Sequence, residues 1–274
     1  MNSSTLIQTI VQYSGSILPW VVIGIGLAYF LEKHITPHTV KRYLGTFGNG
    51  RMLTAIFLGM VSPLSIMSFL PVAREFIDLG AHPAVLFGFL IAERAYDLQS
   101  FFIITRLFGI KFAILNAFAI FISLYLSIVA LEHERINFTI NDGKRHNHFW
   151  YRQVKILGVV GIGIVVSALF RSVIPQNHFE NMMGDTVGGI TGALLSGSIL
   201  YLGPIIANYP IAKAFADLGM SQVGVFAFLT VSPVINIVII SLFGGTVGYR
   251  TTLKSFCIYG MAALICTLLA TFML

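Results

Sequence analysis

The chain predicts an all-α protein that crosses a membrane several times. Of its 274 residues 56% are apolar and only 10% charged, against about 25% charged in a soluble domain, and the mean hydropathy is +0.85. Six stretches, 1–31, 52–73, 112–131, 186–212, 218–249 and 255–274, contain no Asp, Glu, Lys or Arg; a crossing helix needs about 20 mostly apolar residues. Two cysteines exclude a disulfide-stapled secreted module, and the apolar content excludes a disordered chain.

In chain order, the first run, about 10–31, lacks a basic flank and a small-residue cleavage site and reads as a retained span. The second, 52–73, is broken by Pro63 and Pro71, and a third, 84–105, is interrupted by Glu93, Arg94 and Asp97. After 112–131 comes the one long polar stretch, 132–155, a linker between membrane halves at 1–131 and 156–274. A short run, 156–170, is bracketed by Lys155 and Arg171; 186–212 is broken by Pro204 and Pro210, and 218–249 and 255–274 follow. This makes about eight hydrophobic elements. Gly184, Gly188, Gly192 and Ser196 recur every four residues, a stripe suited to close helix packing. Cys257 and Cys266 lie nine residues apart, about 180° around a helix, and cannot share a ligand there.

The halves resemble each other. At an offset of 139, PVAREFIDLG (71–80) aligns with PIAKAFADLG (210–219), FGFL (87–90) with FAFL (226–229), and Gly109 with Gly248. Ten of 41 aligned positions are identical, where about three are expected by chance, so an internal duplication is expected. Each half has a Pro-broken run, a short piece ending Asp-Leu-Gly and a longer span. Unpaired backbone is tolerated in a bilayer only inside protein or along a cavity, so 62–71 and 203–210 are expected to be non-helical segments within the membrane.

Charge predicts the symmetry. If 52–79 is re-entrant or adds a crossing, each half has an odd number of crossings and the repeats are inverted. Lys33, Lys41, Arg42, Arg51, Arg135, Lys144, Arg145, Arg152, Lys155, Arg250 and Lys254 then lie on one side, against Arg106, Lys111 and Arg171. Complete crossings leave little bias. Lys and Arg favour the cytoplasmic side, which puts the N-terminus outside and the linker inside. The net charge of +6 is thus a topology signal and implies no nucleic acid. Inverted repeats place substrate near the midplane, where broken helices meet, so the architecture points to transport.

GMVSPLSIMSFLPVAREFIDLGAHPAVLFGFLIAERAYD (59–97) and ILYLGPIIANYPIAKAFADLGMSQVGVFAFLTVSPVIN (199–236) resemble the predicted bacterial permeases that include the organoarsenical efflux permeases. Each follows that family's order of Pro-containing loop, Pro-initiated short helix ending at Gly, and Phe-Leu span leading to a Ser-Pro-x-x-Asn type motif. Where members commonly carry a Cys-containing loop this chain has Pro63 to Ser68, without the thiolate that selects soft metals. Where the second half keeps Ser232-Pro233-Val234-Ile235-Asn236, the first has Glu93-Arg94-Ala95-Tyr96-Asp97. The resemblance implies export.

Glu93, Arg94 and Asp97 are the expected ion-coupling residues, because ionisable groups inside a bilayer cost at least ~2.5 kcal/mol each and mark ion or proton pathways. On one helix Glu93 and Asp97 share a face and Arg94 can pair with Asp97, leaving Glu93 as the proton carrier; the rival reading is a buried ion cluster that ties spans together. Substrate is expected at Pro63, Ser65, Met67, Ser68 and Pro71, and at Pro204, Asn208, Tyr209, Pro210, Ser232 and Asn236. Their uncharged polar groups suit a neutral or anionic solute held near the N-terminal ends of short helices, or else satisfy freed backbone. Arg74/Asp78 and Lys213/Asp217 read as i, i+4 anchoring pairs. His146 and His148 lack a ligand cluster, and no nucleotide, dinucleotide or hydrolase motif occurs, so neither metal nor cofactor is expected.

The expected function is an inner-membrane secondary transporter, not an enzyme, that exports a small molecule or ion by alternating access and is proton-coupled. The alternatives are an uptake carrier or channel for an inorganic ion, a partner-dependent membrane subunit, and an intramembrane enzyme using Glu93, Asp97 and Ser68 or His82. Beyond substrate and lipid, a homo-oligomer stays open.

Overall fold

The computed structural model describes residues 3–34, 48–62, 77, 81–134, 136–139, 149–184, 186–200 and 205–274. Their helices are α1 (Ser3–His34), α2 (Asn49–Val61), α3 (Pro83–Ala95), α4 (Leu98–Phe108), α5 (Ile110–Val129), α6 (Phe149–Val173), α7 (Gln176–Met183), α8 (Val187–Ile199), α9 (Asn208–Asp217), α10 (Gln222–Val231), α11 (Ile237–Val247) and α12 (Tyr249–Ala270). A 3₁₀ turn, Ile205–Ala207, precedes α9, and no strand occurs among the described residues. Leu6–Leu27, Ile110–Val129, Gln153–Val173 and Tyr249–Ala270 are each long and apolar enough to cross a bilayer. Their outer faces leave Val22, Phe118, Ile162, Val165, Ile265 and Leu268 bare, a belt suited to lipid and not to water. The chain is an all-α, multi-pass membrane protein.

Two stretches expected to be single spans are broken. Residues 84–105 form α3 and α4, separated by Tyr96 and Asp97 in extended conformations (φ −158° and −138°). Residues 218–249 form α10 and α11, separated at 232–236. Each second half-helix starts at a short polar side chain that takes the backbone donors an unbroken helix would have used. Asp97 Oδ1 accepts from the Ser100 N–H and hydroxyl, both at 2.6 Å, and Asn236 Oδ1 accepts from the Ile239 N–H at 2.9 Å. The span before α7 is longer than the charges suggested, since α6 begins inside the segment read as linker. Lys155 does not end it; its ammonium lies 4.5 Å from the Tyr151 ring centroid, at the helix's polar end.

The offset of 139 relates structure as well as sequence. It carries α4 onto α11 end to end, α5 onto α12 at their first residues, and the last residue of α1 onto that of α6. The caps correspond too, with His82 and Ser221 accepting from the N–H two or three residues on. So do the reversals at Gly109 (φ 94°) and Gly248 (φ 90°). There helix follows helix with no loop, through a left-handed conformation that favours glycine.

Corresponding helices pack antiparallel. Ser127, near the end of α5, bonds Ser255, near the start of α12, while Lys111 at the other end of α5 donates to the Met273 carbonyl. Tyr29 and Trp150 tilt together where α1 ends and α6 begins, and at the opposite end Tyr13 and Arg171 meet on Asp217. The bundle therefore has an Arg171 end and a Lys254 end. At the latter Lys254 pairs with Glu134 at 2.6 Å and the Thr139 N–H donates to the Thr246 carbonyl at 2.7 Å, fixing this part of the linker.

The second short piece turns back inside the protein. α8 starts against α7, where added carbon on Gly189 would meet Gly184 and on Gly192 would meet Met183. α8 then runs parallel to α10, Ala193 beside Gly224 and Gly197 beside Phe228. After the 3₁₀ turn α9 returns to α7, with Gly219 (φ 102°) against Glu180. α8 thus enters at the Arg171 end, and the 3₁₀ turn and α9 lead back to it. The expected stripe packs only in part: Gly192 lies against Met183 and Ser196 is half-buried, but Gly184 lies outside α8 and Gly188 is exposed. The buried face is Gly189, Ala193 and Gly197, turned by one residue.

The core is built on the half-helices. α10 is buried from Val223 to Val231, and α3 is buried except at Pro83, Glu93 and Arg94, as expected of helices apolar all round. Phe87 stands edge-on to Phe243, Phe112 to Phe226 and Phe215 to Phe228, tying α3, α5 and α9 to α10 and α11.

Candidate functional site

Two helix N-termini meet in the interior, α9 at Asn208 and α11 at Asn236, joined through Ser232. The Asn208 amide donates to the Ser232 hydroxyl at 3.3 Å, and Asn236 Nδ2 donates to the Ser232 carbonyl at 2.8 Å. All three side chains are buried. Two residues before Ser232 the equally buried Thr230 accepts from Asn116 of α5 at 2.9 Å, and its carbonyl accepts from Tyr259 of α12 at 2.6 Å. The turn Ile205–Ala207 packs between α6 and α4, which brings this cluster to the half-helix that Asp97 begins. Peptide dipoles direct partial positive charge from such N-termini, and the hydroxyl and amides add no fixed charge.

Glycines create the close approach. A side chain at Gly163 of α6 would lie 2.7 Å from the Ala207 carbonyl oxygen, and one at Gly24 of α1 would strike the stem of Gln99 on α4. Gly24 and Gly163 correspond at the offset of 139, inside Ile23-Gly24-Ile25 and Ile162-Gly163-Ile164. Sequence reasoning passed over this pair, although the same offset identifies it.

Of the expected substrate residues, Asn208, Ser232 and Asn236 are brought together. Tyr209 and Pro210 are buried in the first turn of α9, where a proline's missing N–H breaks no bond. The expected non-helical stretch 203–210 is shorter than supposed, because its end already belongs to the 3₁₀ turn and α9. Pro63, Ser65, Met67, Ser68, Pro71 and Pro204 lie outside the described residues, as do Arg74, Asp78, His146 and His148.

The charged group is arranged differently from expectation. Glu93 and Asp97 do not share a helix face, because α3 ends at Ala95 and Asp97 starts a new helix. Repulsion at i, i+4 therefore does not single out Glu93. Asp97 is occupied as a cap, with the Arg94 charge in electrostatic reach. Glu93 and Arg94 are half-buried at the C-terminal end of α3, and the Glu93 N–H lies 3.2 Å from where a side chain on Gly59 of α2 would stand. His82 caps the far end of α3 through its Nδ1, eleven residues and about 16 Å of helix from Glu93. Those two do not form a catalytic pair.

No family model matches the chain, and no solved structure matches it. A Streptococcus mutans protein named "Putative two-component membrane permease complex subunit" is 31% identical over 61 residues, 22% of this chain and 20% of that protein. The chain thus matches about a fifth of that relative's length.

Proposed function

We propose that this chain is a secondary permease of the bacterial inner membrane, built from two inverted repeats and exporting a small neutral or anionic solute by alternating access. The observation that carries the reading is the antiparallel packing of corresponding helices, α1 with α6 and α5 with α12. A two-fold relation that reverses equivalent helices lies in the membrane plane and brings both broken elements to the midplane, where such transporters hold substrate. The buried Asn208, Ser232 and Asn236 at the N-terminus of α9 supply the solute's hydrogen bonds. The name of the Streptococcus mutans relative supports the permease reading.

In this reading the Lys254 end is cytoplasmic, since the linker and Arg250 lie there, and both termini are outside. In the proposal Glu93 carries the coupled proton, because it is half-buried at a helix break beside the packing of α2 on α3. No step requires a metal or an organic cofactor. Growth of a strain lacking its own exporters tests the proposal, with this chain or its Glu93→Gln variant expressed against methylated arsenicals, arsenite, transition metals and small oxyanions. Protection by the parent and not the variant is expected; no protection, with the protein in the membrane, sinks the efflux reading.

A second reading, a membrane subunit that works only with a partner, follows from the relative's being named a complex subunit. Counterflow by the purified chain alone in liposomes excludes it.

A further inference from the structure

One carboxylate joins three helices at the Arg171 end. Asp217, the last residue of α9, accepts from the Tyr13 hydroxyl of α1 at 2.8 Å and from Lys213 at 2.7 Å, and pairs with Arg171 of α6 at 3.2 Å. A carboxylate at a helix C-terminus opposes the helix dipole, so within α9 its pair with Lys213 is offset. The side chain is only 17% exposed, held by donors that include both other helices. Beside it a cleft of about 330 Å³ opens between the halves. Lys213, Asp217, Gln222 and Val225 form one wall, and Phe108 and Phe112 the other.

α9 has ten residues and is about 15 Å long, half of a hydrocarbon core of about 30 Å. Its other end is Asn208. A displacement of α9 at Asp217 is therefore carried to the interior cluster. We propose that the cleft is the aqueous approach from this side and that Asp217 is a positioning residue that controls it. Bonded to Tyr13 and Arg171 it holds α9 closed against α1 and α6; its release lets α9 swing and deepens the cleft. The proposal rests on the permease reading but concerns which side the cavity faces. Losing the carboxylate leaves Arg171 and Lys213 as neighbouring like charges, which drives the same opening.

The full chain with Cys257→Ser and Cys266→Ser carries a reporter at Val225→Cys, buried in the cleft, or at Gln222→Cys, exposed at its mouth. Both are labelled with a membrane-impermeant cationic thiosulfonate in vesicles of each orientation. Asp217→Asn should raise labelling of Val225→Cys about tenfold from one side only, with Gln222→Cys changed less than twofold, and Asp217→Glu should restore slow labelling. An unchanged rate at Val225→Cys, or equal increases at both reporters, overturns the proposal. No transported solute is used, so the result stands apart from that of the efflux screen.

Discussion

Positions 97 and 236 do the same local work with different chemistry. Asp97 and Asn236 each cap the second half of a broken helix through one side-chain oxygen, and only the first adds an ionisable group. Asp97→Asn should therefore keep the cap and change stability little, whereas Asp97→Ala should cost about 1–2 kcal/mol, read as the unfolding midpoint in detergent micelles. Transport lost in Asp97→Asn with stability kept would mean that its charge matters beyond capping. The five residues around each position were legible as unusual, because charge or proline in an apolar run stands out. That they break the helix was not, since an Asp reads equally well as a buried partner of Arg94 until the backbone around it is known.

Among the elements, α1 and α6 gave the least in sequence, because an apolar run shows that a helix spans and not what it touches. Gly24 and Gly163 are the contact points. Gly163→Ala should destabilise by about 1–3 kcal/mol, since the new carbon meets the Ala207 backbone. Gly24→Ala should cost a similar amount, because the new carbon meets the Gln99 Cγ and Cβ and lies 3.1 Å from its Cα, and Cβ and Cα cannot swing away. Gly161→Ala, with nothing within 4 Å, should be neutral or mildly stabilising; the three form one thermal-unfolding series. The Gly184-to-Ser196 stripe shows the converse failure. Spacing of four finds a helical face, but which face is buried depends on where α7 ends and α8 begins, and a one-residue error rotates it by about 100°.

For the whole molecule, composition alone gave the class, while the packing of α5 on α12 was invisible before the fold. Reporters fused at either terminus and inserted in 140–148 should report opposite sides of the membrane, with both termini together. Alkaline phosphatase active at the linker would reverse the orientation, and termini on opposite sides would refute the inverted arrangement.

Antiparallel α5 and α12 also bear on how such a molecule is made. If, as proposed, the two similar halves face opposite ways, the same signal cannot direct both, and the insertion machinery has to read one half against its own resemblance to the other. The segment carrying Arg135, Lys144, Arg145, Arg152 and Lys155 stands where that decision falls. If the halves were once separate copies of one chain, that chain had to enter the membrane both ways up, and a fixed charge imbalance became tolerable only after the copies were joined.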